Sequence, residues 1–111
     1  MREIKATEWQ EIRSSGELTL VEVFSPTCLP CKLLSKELVE LEKISDISIF
    51  KIETSALQQA DKDLFDQLTG VPSLLLILQE GKIEILPRVY ARHQILEQIQ
   101  QYKGGADGIN V

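Results

Sequence analysis

The chain is poor in cysteine, in long apolar runs and in positive charge, and each shortage closes off a class of protein. Two cysteines in 111 residues are too few to frame a disulfide-stapled secreted domain. The longest apolar run, Leu74 to Leu78, has five residues, against the roughly 20 that a membrane-crossing helix needs. Met1-Arg2-Glu3-Ile4-Lys5 leads into no apolar h-region and no small-residue cleavage site, so no secretory leader is expected. No repeat with a period of roughly 20–50 residues is present, which sets aside solenoids and propellers. Lys and Arg number 12 against 17 Asp and Glu, a formal charge of −5, so neither a phosphate backbone nor an anionic membrane is an expected partner. These shortages predict a cytoplasmic protein in a reducing compartment.

What is present is ordinary in composition and ordered in pattern. Hydrophobic residues make up 43% and charged ones 26%, the balance of a single globular domain. A chain of this length buries roughly two-thirds of its unfolded surface and needs no metal or disulfide staple. A helix is predicted from Thr7 to Ser15, with Thr7 and Gln10 at capping-box spacing and Ala6, Trp9 and Ile12 on one face. Trp9 is expected to be core packing. Leu18 to Phe24 is β-rich and nearly apolar throughout, as in a strand buried on both faces. A second helix runs from Leu29 to Lys43, with Leu34, Leu38, Leu41 and Ile44 as its apolar stripe. Pro30 is tolerated there because the first turn does not need its N–H.

Ile47 to Ile52 reads as a further interior strand. Ser55 and Gln58 repeat the capping-box spacing before a helix with Leu57, Ala60, Leu64 and Leu68 inward, ended by Thr69-Gly70. Leu74–Leu78 and Lys82–Leu86 are predicted as a hairpin through Glu80-Gly81, with Pro87 marking the second strand as a sheet edge. A last helix spans Ala91 to Lys103 and buries Ile95, Ile99 and Tyr102. The expected fold is α/β, a central mixed β-sheet with helices on both faces. Residues 1–103 form the domain, and 104–111, rich in glycine and without periodicity, form a flexible C-terminal tail.

The chemistry concentrates in Cys28-Leu29-Pro30-Cys31, which follows a buried strand and opens a helix. Two residues lie between the cysteines, so the first helical turn brings both sulfurs within bonding distance. At the N-cap, Cys28 meets unpaired backbone N–H groups and the positive end of the helix dipole, which favour a thiolate and make it the attacking nucleophile. Cys31, one turn deeper, is then the resolving thiol. The spacing alone also suits half of a zinc site, or two inert buried cysteines. A structural zinc takes four ligands, and His93, in a polar stretch at the start of the last helix, is expected to be a surface residue. No metal and no cofactor is expected.

Taken together, residues 5–103 resemble the thioredoxin family. The resemblance rests on Val21 through Lys32, which include Cys28-Leu29-Pro30-Cys31-Lys32, on Gly70-Val71-Pro72-Ser73 about forty residues later, and on Glu80-Gly81-Lys82 in the hairpin. It implies a thioredoxin-like fold, a cis Val71–Pro72 bond beside the two sulfurs, and a loop at Val71 and Pro72 that receives a substrate strand. Leu29 and Tyr90 would line the same groove. A carboxylate inside an apolar strand is costly unless paired or protonated. Glu22 stands where thioredoxins carry a buried aspartate, which implies a proton acceptor for Cys31, and Lys51 matches that carboxylate's lysine partner. The implied activity is reduction of protein disulfides by dithiol exchange, with a thioredoxin reductase-type enzyme as electron donor.

Several positions depart from the family pattern. Thr27 replaces the tryptophan before the first cysteine, Phe24 another tryptophan, Leu29 the intervening glycine, Lys36 a helix-kinking proline, and Tyr90 a glycine before the last helix. A glutaredoxin is disfavoured because Gly104-Gly105-Ala106-Asp107 lies after the last helix rather than before it. An oxidising, secreted role fits poorly with the missing leader. The alternative to an enzyme is a docking module of the same fold, which would bind a protein partner through the groove around Leu29 and Tyr90.

Overall fold

The computed structural model describes residues 1–107, with side chains through Tyr102. Its centre is a sheet of five strands in the order β1-β3-β2-β4-β5. These are β1 (Arg2–Ile4), β2 (Thr19–Phe24), β3 (Ser48–Glu53), β4 (Ser73–Ile77) and β5 (Ile83–Ile85). β1 and β2 run parallel to β3, while β4 is antiparallel to β2 and β5 to β4. The mixed sheet expected from the sequence is therefore observed, with β2 at its centre and β5 at an edge.

Alternation along the strands feeds two cores, one on each face. Leu20, Ile49, Leu74 and Leu76 meet the inward stripe Leu34, Leu38 and Leu41 of α2 (Leu29–Ile44) and Ile95 and Ile99 of α5 (Arg92–Asp107). On the other face Val21, Val23, Ile52, Leu75 and Ile77 pack with Trp9 of α1 (Trp9–Arg13), Leu57 of α3 (Thr54–Ala60) and Leu64 of α4 (Lys62–Phe65). Burying each such side chain contributes about 1.5–3 kcal/mol. Helices on both faces allow β2 to be apolar almost throughout, as its sequence requires.

The structure differs from the sequence expectation in several places. β1 was not foreseen. The first helix is a short 3₁₀ turn, Ala6–Glu8, followed by α1, and the carboxylate that accepts from the helix start is Glu8, from the Lys5 N–H at 2.9 Å. Gln10 does not serve Thr7 in that way. The predicted 55–68 helix is two helices broken at Asp61. Asp61 caps α4 by accepting from the Leu64 N–H at 3.2 Å, and it also accepts from Trp9 Nε1 at 3.1 Å and from the Arg13 guanidinium. Ala60 is exposed because the break turns it out of the helix face. Ile44 is 64% exposed; it is the last residue of α2, and the buried stripe ends three residues earlier at Leu41. α5 continues to Asp107, so 104–107 prolong the helix expected to stop at Lys103; the rest of the predicted tail, 108–111, lies outside the described residues.

Candidate active site

The polypeptide leaves β2 at Phe24 and turns through Ser25-Pro26-Thr27, where the Cys28 N–H donates to the Ser25 carbonyl at 3.1 Å. Cys28 has extended backbone angles and caps α2 as the sequence predicts, its Sγ accepting from the Cys31 N–H at 3.1 Å. Cys28 and Cys31 are joined in a disulfide with their Cα atoms 5.2 Å apart. The two sulfurs differ in access. Cys28 is half-buried, whereas Cys31 is 2% exposed on the inward stripe of α2. Once the bond is reduced, the helix-start N–H that points at Cys28 Sγ favours its thiolate. Pro30 lies in the first turn of α2 without breaking it, and Lys36 leaves the helix continuous to Ile44.

Beneath this turn, Glu22 occupies the middle of β2 between Lys51 of β3 and Leu74 of β4. It is 0% exposed. Ser35 of α2, one turn beyond Cys31, donates to Glu22 Oε1 at 2.5 Å. The other oxygen, Oε2, is buried without a hydrogen-bond partner. Burial pushes the Glu22 carboxyl from 4.5 up to about 7, against the opposing pull of the Ser35 hydroxyl and the Lys51 ammonium. Lys51 is Glu22's cross-strand neighbour but forms no ion pair with it within 4 Å; its Nζ lies over the Phe24 ring, 5.1 Å from the centroid. A carboxyl poised near neutrality can exchange a proton at physiological pH.

The register Val23↔Ser73 sets the start of β4 against the end of β2, at the same end of the sheet as Cys28. The Val71–Pro72 peptide bond is cis. The loop is tied by the Ser73 hydroxyl, which donates to the Gly70 carbonyl at 2.6 Å. Pro72 borders a depression of about 220 Å³ together with Leu34, Arg88 and Tyr90. Val71 borders another, of about 510 Å³, with Ser25 and Phe65. Leu29 and Leu33 stand exposed at 66% and 56% on the first turns of α2, and Tyr90 at 39%. Thus Pro72 and Tyr90 share one surface and Val71 the adjoining one, while Leu29 projects from the helix start. His93 is exposed on α5.

Two residues near this site were not singled out from the sequence. Ser35 had a signal: a carboxylate buried in an apolar strand calls for a donor, and a polar residue four beyond Cys31 is placed to supply one. Arg88, whose Nη2 lies 3.5 Å from where a side chain on Gly70 would begin, had none.

A half-exposed cysteine at a helix start, a buried partner one turn later and a cis proline at the same sheet end define a thiol–disulfide class of protein. The Thioredoxin family profile matches residues 1–101, and the chain belongs to that family. Its fold is similar to those of chloroplastic thioredoxin z (TM-score 0.78, 20% identity, 94% of this chain and 95% of that one covered), a mutant thioredoxin from Halobacterium salinarum (0.75, 22%, 90% and 88%) and the oxidised thioredoxin from Plasmodium falciparum (0.73, 19%, 92% and 97%). No helix among the described residues is long and apolar enough to cross a membrane.

Proposed function

We propose that the protein is a cytoplasmic protein-disulfide reductase that works by dithiol exchange. The observation that carries this reading is the unequal access of the two sulfurs: Cys28 is partly exposed at the surface, whereas Cys31 is 2% exposed. The Cys28 thiolate attacks one sulfur of a substrate disulfide, forming a mixed disulfide and releasing the other sulfur as a thiolate. Cys31, deprotonated, attacks Cys28 Sγ, closes the internal disulfide and releases the second substrate thiolate. The substrate gains two electrons and the protein loses two. Glu22 takes the Cys31 proton. The Val71–Pro72 loop offers backbone to the substrate chain as an added strand, flanked by Leu29 and Tyr90. A thioredoxin reductase-type enzyme restores the dithiol.

The test is the reduction potential of the Cys28–Cys31 pair, measured against a dithiol buffer with thiol trapping and mass spectrometry. A value of roughly −240 mV or lower supports a reductase, and one above about −180 mV reverses the direction of electron flow. No reversible disulfide at all would overturn the enzyme reading. Partner binding that survives Cys28→Ser unchanged would then identify a docking module.

A further inference from the structure

The buried carboxylate is asymmetric. One oxygen, Oε1, is held by the Ser35 hydroxyl at 2.5 Å; the other, Oε2, has no partner. Ser35 is the residue one helical turn after Cys31, so its side chain neighbours the Cys31 side chain on α2. Cys31 is buried against the sheet, and the half-buried Ser35 reaches the sheet through its bond to Glu22. A hydroxyl four residues along a helix ordinarily folds back on its own backbone, as Ser14 does by donating to the Gln10 carbonyl at 2.7 Å. Ser35 instead donates across to β2.

We propose that Ser35 is a positioning residue for the proton step: by anchoring Oε1 it fixes the plane of the Glu22 carboxylate and leaves Oε2 as the free acceptor for the Cys31 proton. This rests on the reading of Glu22 as that acceptor. When Cys31 is set free to attack, its S–H bond breaks, the electron pair stays on sulfur, and the proton ends on Oε2. Glu22 becomes a neutral carboxylic acid and Ser35 is unchanged.

The surroundings leave few competitors for this role. From β3, Lys51 stands beside Glu22 with its ammonium over the Phe24 ring, and Glu53, two residues further along the same face, stands beside Phe24. β4 offers Ser73 and apolar residues only. α5 contributes Ile95 and Ile99 to the same core. α2 contributes Cys31 and Ser35, and its Lys32 and Lys36 point into solvent. Among the described residues the serine hydroxyl is thus the only hydrogen-bond donor on the carboxylate. It favours the ionised form, the one able to receive a proton.

The experiment is stopped-flow reaction of the fully reduced protein with dithiobis(nitrobenzoate), an aromatic disulfide. The first equivalent of nitrothiophenolate reports Cys28 attack, and the second reports Cys31 resolving the mixed disulfide. The second phase is followed against pH for the wild type, Glu22→Gln, Ser35→Ala and Ser35→Thr. Expected is an upward shift of about one pH unit in the second-phase midpoint for Ser35→Ala, an unshifted first phase, and return of the wild-type midpoint with Ser35→Thr. Alanine is a strong helix former, and the unshifted first phase is the check that the active-site turn is intact. If Glu22→Gln leaves the second phase untouched, the acceptor reading fails and this proposal falls with it. If Glu22→Gln alters the second phase while Ser35→Ala matches the wild type, or if Ser35→Thr does not restore it, the positioning role alone is overturned.

Discussion

Replacing Glu22 with glutamine tests the energetics of the buried carboxyl directly. The side chain is wholly enclosed, so solvent does not screen it, and its carboxyl is pushed from 4.5 up to about 7. Each pH unit of that rise corresponds to about 1.4 kcal/mol, so ionised Glu22 costs the folded state about 3 kcal/mol. Between these two values the folded protein keeps a proton that the unfolded chain has released. Stability therefore falls as pH rises through the window, is free of the penalty below it, and carries the penalty in full above it. Glutamine does not titrate. Stability of Glu22→Gln minus that of the wild type should climb by about 3 kcal/mol between pH 4.5 and about pH 8, while every other titrating group cancels in the difference. Urea unfolding of the oxidised protein reads this through the fluorescence of Trp9, the single tryptophan and 1% exposed. With a urea dependence of about 1–3 kcal/mol per molar, the midpoint difference moves by at least about 1 M. A difference curve that stays flat across the window would refute the reasoning.

Two further outcomes follow from packing. Asp61→Ala removes at once the α4 cap and the acceptor of Trp9 Nε1 and Arg13, and should lower unfolding stability by about 2–4 kcal/mol in the same urea assay; a loss below about 1 kcal/mol would show that the three contacts are solvated substitutes for one another. Leu38→Ala opens a cavity beneath the middle of α2, where Leu38 is 0% exposed, and should cost about 2–5 kcal/mol without altering the cysteine chemistry, as checked by the two-phase disulfide assay.

The parts of the fold visible in the sequence are those whose cause is local. β2 is a run of residues that only a doubly covered strand would carry, and Cys28 follows it at the one place where a helix start can hold it. The edge position of β5 was legible from Pro87, and the turn from Gly81, whose φ of 92° is one that an L side chain rarely adopts. β1 left no trace because in three residues only Ile4 is buried, too short a pattern to register. The break at Asp61 was hidden for a different reason. Leu57, Leu64 and Leu68 keep helical spacing across it, and the partners that fix Asp61, Trp9 and Arg13, lie 52 and 48 residues away in sequence. The same holds at the candidate site. Cys28 and Cys31 announce themselves by type and spacing, Glu22 by being a carboxylate in an apolar strand, and Pro72 through the resemblance to the thioredoxin family, but Ser35 acquires its meaning only when α2 is laid over β2. The lysine at 51 matched the expected position, yet its ammonium turned to the Phe24 ring, a choice between two nearby acceptors that spacing does not decide.

Glu22 sits in a strand hydrogen-bonded on both sides, to β3 and to β4, and such strands open only when the whole domain does. Fraying at an edge therefore cannot hydrate it. The amide protons of β2 should be among the last in the molecule to exchange with solvent, while those at the exposed start of α2, only a few residues further on, exchange early. The start of α2 is thus fastened to a strand paired on both sides, with the wholly enclosed carboxyl of Glu22 beneath it.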